Sequence, residues 1–444
     1  MKNRKTEQST ARPKSSARTS LKTRVGLCAA ALVVTAVSVL VGSSMFSTQR
    51  APSTFDYLVG QTLIDKPWIA LQLGDSIRGG KFPLSFEVPY AGLKMKSNVH
   101  YGLHESSQAQ MMKLLSQYKP DYGAFVAIDA KTGRILSMAS FSAVDPEHEN
   151  LALRATFPAA SVFKIVTASA VLDMNKALPE TVMQFNGANH TLYKKNVEDT
   201  KVNRWTRHMT MREAFARSVN VVFSKLGLFY VGPERLRNYA ERFFFNHQIP
   251  SDFPIQTGMA KFSDDDRWSI ATAASGFTRD NTMSPLQGAL IAAAVANDGV
   301  MMEPYLVESL TDDSGGTTYQ AVPKMASIVV EPQSAEKLRE LFNETVKSGT
   351  SRKWFRKTVR GPLYDDVEFG GKTGSLTGLN PSGKVDWFVG YARYRNQRIA
   401  VAALTVNEKK WKVKSSALAN MFFTQYLGEL KHADQAIARH TANE

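Results

Sequence analysis

A serine and a lysine three residues apart, at the head of an apolar run without a breaker, constrain this chain more than any other feature. From Pro158 to Asp173 it reads Pro-Ala-Ala-Ser-Val-Phe-Lys-Ile-Val-Thr-Ala-Ser-Ala-Val-Leu-Asp. The proline and small residues followed by alanines and aliphatics predict a helix that starts near Ser161 and buries most of its surface. Ser161 then lies at a helix N-terminus, where unpaired N–H groups and the helix dipole favour negative charge on an oxygen. Lys164 falls about one turn further on the same face, within hydrogen-bond range of that hydroxyl. A serine is a weak nucleophile until a base takes its proton, and a lysine can be that base if burial or a nearby cation lowers its pKa. Two fixed positions are a loose motif, and Ser334 with Lys337 repeats it on an ordinary amphipathic helix. Chemistry therefore requires partners further along the chain.

The 444 residues are 43% hydrophobic and 21% charged, a globular composition and not that of a disordered chain. Of the formal +15 charge, residues 1–24 hold +7. The remainder is only mildly basic and shows no base-stacking platform, which argues against nucleic acid as a partner. Val25 to Phe46 carries no charge, is rich in Ala, Val and Leu, and is long enough to span a bilayer. Its basic flank predicts a cytoplasmic N-terminus and an exported remainder. The run exceeds a usual secretory core, which favours an uncleaved anchor, while Gly42, Ser43 and Ser44 leave a cleaved signal open. Cys28, the only cysteine, lies inside this run, so the exported part can form no internal disulfide.

The expected organisation is a basic cytoplasmic tail (1–24), an anchor (25–46), a membrane-proximal linker with a few strands (47–97), one large domain (98–430) and a polar C-terminal tail (431–444). Within the domain, residues 123–129 and 134–140 read as a hairpin around Ala130–Gly133. Gln184 to Arg207 is a polar excursion without strong periodicity. Thr210 and Glu213 form a capping box, and Ser218 and Asn220 suit a break between two short helices. Helices are expected at 285–297, 333–346 and 415–430, and strands at 367–372, 385–394 and 398–406. Helices flanking a sheet that joins these strands to the hairpin make an α+β domain.

A third motif, Gly370-Gly371-Lys372-Thr373-Gly374-Ser375, lies on the first of those strands. Its glycines are expected to let a ligand backbone approach, and its lysine and hydroxyls suit a carboxylate. Lys131-Thr132-Gly133 has similar letters but lies in a hairpin turn, and no chemistry is assigned to it. Lys347, Arg352, Lys353, Arg356, Lys357 and Arg360 form a cation block just before the strand. The block reads as a solvated loop, or as a contact with anionic lipid or glycan that uses Trp354 and Phe355.

Ser161-x-x-Lys164, Ser218-x-Asn220 and Lys372-Thr373-Gly374, in this order, resemble a penicillin-binding protein transpeptidase domain, monofunctional and class B-like, in the serine β-lactamase superfamily. Met283-Ser284-Pro285-Leu286-Gln287, Ala296-Asn297-Asp298-Gly299 and Asp386-Trp387-Phe388-Val389-Gly390 extend the resemblance across 98–430. The resemblance implies a D,D-transpeptidase that acts on peptidoglycan stem peptides through an acyl-enzyme on Ser161, with Lys164 as base. It also implies that Ser218 relays a proton, that Lys372 keeps Lys164 neutral, and that Asn220 holds the acyl side chain. Thr373, Gly374 and Ser375 would bind the terminal carboxylate, and the N–H groups of Ser161 and Ser375 would form an oxyanion hole. No cofactor or metal is called for. Expected partners are stem peptides, β-lactam antibiotics, the bacterial inner membrane through the anchor, and proteins of a cell-wall synthesis complex, with the domain on the periplasmic side. Where the family often has Phe-Gly-Phe-Gly, this chain has Phe243-Phe244-Phe245-Asn246, so the loop beyond is expected to be rebuilt. A D,D-carboxypeptidase, a class D-like β-lactamase and a non-catalytic sensor are the alternatives.

Overall fold

Alternating apolar residues in the central strands require cover on both faces, and the chain supplies it with helices. The computed structural model describes residues 64–90, 93–198 and 201–441. The expected tail 1–24 and anchor 25–46 lie outside them. No helix among the described residues is long and apolar enough to cross a membrane.

The described chain opens with α1 (Lys66–Arg78), β1 (Ser85–Tyr90), β2 (Leu93–Tyr101), α2 (Glu105–Tyr118), β3 (Tyr122–Asp129) and β4 (Ile135–Ser142). A second group follows: α3 (Lys164–Asp173), β5 (Val182–Phe185), β6 (Arg207–Thr210), α4 (Met211–Ala216), α5 (Asn220–Lys225), α6 (Pro233–Arg242), α7 (Arg267–Ser275) and α8 (Pro285–Ala296). The last are β7 (Val307–Thr311), β8 (Thr317–Gln320), α9 (Pro332–Lys347), α10 (Arg352–Arg360), β9 (Glu368–Leu379), β10 (Ser382–Tyr394), β11 (Gln397–Asn407) and α11 (Ser415–Thr441).

Strands β9-β10-β11-β3-β4, in that order, form one antiparallel sheet, so the hairpin and the C-terminal meander join as expected. Side chains alternate between its two faces. Ala124, Val126, Ala402 and Leu404 join the core that contains α3 and α8, whereas Phe125, Ala127, Val401 and Ala403 meet Phe422, Phe423 and Leu427 of α11. Every residue of α8 is buried, and Ser284 caps it ahead of Pro285. Its Leu286, Leu290, Ile291 and Val295 each contribute about 1.5–3 kcal/mol relative to exposure.

The stretch expected as a linker is more ordered than its composition suggested. Trp68 to Leu73 lies on a helix, α1, whose first turn is capped by Asp65 accepting from Trp68 N at 2.9 Å. A short apolar run does not separate strand from helix, but Ile69, Leu73 and Ile77 fall on one helical face and are buried in the main core. β2 runs through the expected boundary at 97/98 and pairs with β7 in a sheet ordered β1-β2-β7-β8. At the other end α11 continues past Leu430 to Thr441, where a polar tail was expected. Lys431, on that extension, is buried and paired with Asp366.

After α6, Phe244 and Asn246 adopt φ of 61° and 64°, at the positions where the resemblance puts glycine. Larger residues hold the same left-handed turns because neighbours over-determine them. Phe243 and Phe245 are fully buried, and Asn246 exchanges two hydrogen bonds with the Ala260 backbone.

Candidate active site

The helix at Ser161 begins as a tighter turn than expected. Residues Ala160–Phe163 form a 3-10 turn that runs into α3 at Lys164. Its entry is fixed by Ala159 N donating to Asn281 O at 2.7 Å and Trp387 Nε1 donating to Pro158 O at 2.9 Å. Ala160, just before the serine, has φ of 49°. Gly276, which caps α7 at φ 67°, lies against this turn: a Cβ there would be 1.9 Å from Ala160 O. Only glycine satisfies both the dihedral and the approach.

Lys164 is completely buried, with its Nζ 2.8 Å from Ser161 Oγ, 2.7 Å from Asn220 Oδ1 and 2.5 Å from Ser275 O. Burial and the charge of Lys372 hold its pKa well below the usual lysine value. A neutral amine has two N–H groups and one lone pair. The Asn220 and Ser275 oxygens can only accept, so they take both N–H groups and leave the lone pair for the Ser161 hydroxyl. The Asn220 amide cannot turn around without cost, because its Nδ2 donates to His190 O at 2.8 Å.

Ser218 occupies the break between α4 and α5 at φ 55°, a left-handed conformation that a serine adopts only when its surroundings impose it. The capping box at Thr210 and Glu213 that starts α4 is present. Lys372, on the edge strand β9, is fully buried and donates to Ser218 Oγ and to Thr373 O, both at 2.9 Å. Burial lowers its pKa to about 7. The structure thus forms two short chains, Ser161–Lys164–Asn220 and Ser218–Lys372, around one cleft of about 380 Å³.

Thr373, Gly374 and Ser375 line that cleft beside Ser161, Ser218 and Asn220. Thr373 Oγ1 is 2.6 Å from Thr350 Oγ1, so one of its hydrogen-bonding positions is already engaged. Gly370 and Gly371 do not admit a ligand as expected. Their missing side chains make room for the chain's own aromatics, since a Cβ would lie 2.7 Å from the Tyr391 ring and 2.4 Å from the Phe388 ring respectively.

Several residues of the cleft escaped the sequence reading. His190, from the polar excursion, and Phe277, Trp354 and the pair Asp386–Lys414 all line the cleft. The Asp386 and Lys414 side chains meet at 2.9 Å. The excursion is held by strands β5 and β6 and returns its backbone to Asn220, a long-range pairing that composition alone does not announce. The cation block is also corrected: 352–360 is a helix, not a loop, with Phe355 and Thr358 buried against the domain. Phe355 stacks on Phe388 and is unavailable for a membrane. Arg352, Lys353, Arg356, Lys357 and Arg360 are solvent-facing.

Fold and site together place two serine hydroxyls at one cleft, each hydrogen-bonded to a fully buried lysine. Residues 123–427 match the model of the penicillin binding protein transpeptidase domain. The chain belongs to that family. It is 29% identical over 322 residues to the peptidoglycan D,D-transpeptidase PbpA of Mycolicibacterium smegmatis, covering 64% of this chain and 62% of that protein. It is 25% identical over 344 residues to stage V sporulation protein D of Bacillus subtilis, covering 72% and 51% respectively. The chain thus spans about three fifths or less of the length of these two relatives. Among solved structures, the penicillin G acyl-enzyme complex of Mycobacterium tuberculosis penicillin-binding protein A matches with TM-score 0.58 and 25% identity, over 73% of this chain and 79% of that one. The D,D-transpeptidase domain from Eggerthella lenta matches at TM-score 0.61 with 24% identity, over 86% and 89%, and supports the fold.

Proposed function

We propose that this chain is a serine D,D-transpeptidase that acts on peptidoglycan stem peptides. The observation that carries the reading is the Lys164 environment, in which two carbonyl acceptors and burial leave a neutral amine with its lone pair on Ser161 Oγ. Lys164 takes the hydroxyl proton as Oγ bonds to the penultimate D-alanine carbonyl, and backbone N–H groups of Ser161 and Ser375 receive the oxyanion. The C–N bond then breaks, and the proton taken by Lys164 passes through Ser218, which is hydrogen-bonded to Lys372, to the nitrogen of the leaving D-alanine. Asn220 orients Lys164 and keeps one N–H of its amide for the acyl side chain, and Thr373 and Ser375 take the terminal carboxylate. An acceptor amine finally attacks the ester and frees Ser161.

The same sites would be acylated by β-lactams, as the names of the related acyl-enzyme structures state for their own proteins. The charge-free run 25–46 and its basic flank support a single-pass anchor with the domain on the periplasmic side, where proteins of a cell-wall synthesis complex would meet it. Incubation with a donor stem peptide, with and without an amine acceptor, followed by mass analysis of the products tests the reading. Transfer of the acyl group to the amine is expected. Hydrolysed donor alone would indicate a carboxypeptidase, rapid penicillin turnover a β-lactamase, and absence of any product a sensor.

A further inference from the structure

His190 stands at the cleft with no role in acylation. Its loop is locked to the site from behind: Asn220 N donates to Asn189 O and Asn220 Nδ2 to His190 O, both at 2.8 Å, while Arg207 holds Asn189 Oδ1 at 2.8 Å. Its side chain lines the cleft beside Ser161, Ser218 and Asn220. A neutral imidazole has one ring nitrogen free of a proton, and that nitrogen is an acceptor. The titratable and charged groups around it are Lys164 from α3, Lys372 from β9 and Arg207 from β6, and partial burial, followed by the two lysine sites, lowers its pKa. Asp386, the cleft's carboxylate, is engaged by Lys414.

The transpeptidase reading, on which this inference rests, leaves one proton unassigned. An acceptor amine arrives protonated at neutral pH, and an ammonium has no lone pair with which to attack the ester. Lys164 is enclosed beneath Ser161 and already bonded three ways. We propose that His190 is the general base of the second half-reaction, taking a proton from the acceptor ammonium at the mouth of the cleft. The freed amine then attacks the acyl carbon, its nitrogen forming the new C–N bond as the C–Oγ bond breaks. The second amine proton passes through Ser218 to Lys164, which returns it to Ser161 Oγ, and the imidazolium releases its proton to water. One ammonium and one ester thus give one amide, one serine hydroxyl and one proton.

The test compares the full chain with its His190→Gln variant on a donor stem peptide, using two acceptors: an alkyl primary amine, protonated at neutral pH, and hydroxylamine, largely neutral there. Transfer to the alkylamine should fall about 10²-fold in the variant, the lower range for loss of a general base. Transfer to hydroxylamine and acylation by penicillin should stay within about twofold, and alkylamine transfer should recover as pH rises towards the amine's own pKa. Equal loss with both amines, or loss of penicillin acylation, would overturn the role and make His190 a support for Ser218 and Asn220. Wild-type protein that transfers to neither amine overturns the transpeptidase reading itself. Wild-type transfer with an unimpaired variant overturns the His190 role alone.

Discussion

Lys372 Nζ donates to Ser218 Oγ at 2.9 Å, and no carboxylate pairs with this fully buried amine among the described residues. Such a group is held at the expense of stability. Its folded pKa of about 7 lies below the ordinary value of 10.5, so the unfolded chain binds more protons between those limits. Stability therefore rises with pH across that window. Lys372→Met should be more stable than wild type at pH 7 by about 1–2 kcal/mol, with the advantage shrinking towards pH 10, while acylation is lost. Chemical denaturation at several pH values checks this.

Asn220 controls the base through its 2.7 Å contact with Lys164. Asn220→Asp places a negative charge there, which raises the Lys164 pKa and keeps it protonated. Penicillin acylation at neutral pH should drop about 10²-fold or more and recover as pH rises. A pH–rate profile displaced to higher pH in the variant is the expected result.

Gly276→Ala introduces a Cβ 1.9 Å from Ala160 O at a residue with φ 67°. The turn that carries Ser161 must shift. A stability loss of about 1–3 kcal/mol and a fall in acylation of about 10²-fold are expected in thermal melts and stopped-flow labelling.

Helix α10 repels itself: Arg352–Arg356, Lys353–Lys357 and Arg356–Arg360 are like charges four residues apart. Each pair destabilises by about 0.2–0.5 kcal/mol. Replacing Arg352, Lys353, Arg356 and Lys357 with Gln should leave penicillin acylation intact, raise thermal stability slightly at low salt, and reduce binding to anionic vesicles. Unchanged vesicle binding would leave the helix as a solvated face.

Much of the fold was legible because its signals are local. The 123–140 hairpin, the Thr210 capping box and the helices at 285 and 333 announce themselves by turn chemistry, cap residues and periodicity. Ser161, Lys164, Ser218, Asn220 and Lys372 were recognisable as spaced motifs, and the structure brings them around one cleft. Ser275 was not recognisable, because it acts through its carbonyl and any residue has one. Gly276 and His190 matter through contacts across the fold, which leave no trace in neighbouring residues. α1 was obscured by the brevity of its apolar run. α10 was obscured by its charge, which concealed that Phe355 and Thr358 share a buried face.

The central claim is that Ser161 is the nucleophile and Lys164 its base. Intact-protein mass measurement after incubation with penicillin tests it directly, on wild type, Ser161→Ala and Lys164→Arg. An arginine keeps the charge but cannot accept the proton. One slowly hydrolysed penicilloyl adduct on wild type, and none on either variant, is predicted. An adduct that persists in Ser161→Ala, or near-normal acylation of Lys164→Arg, would contradict it.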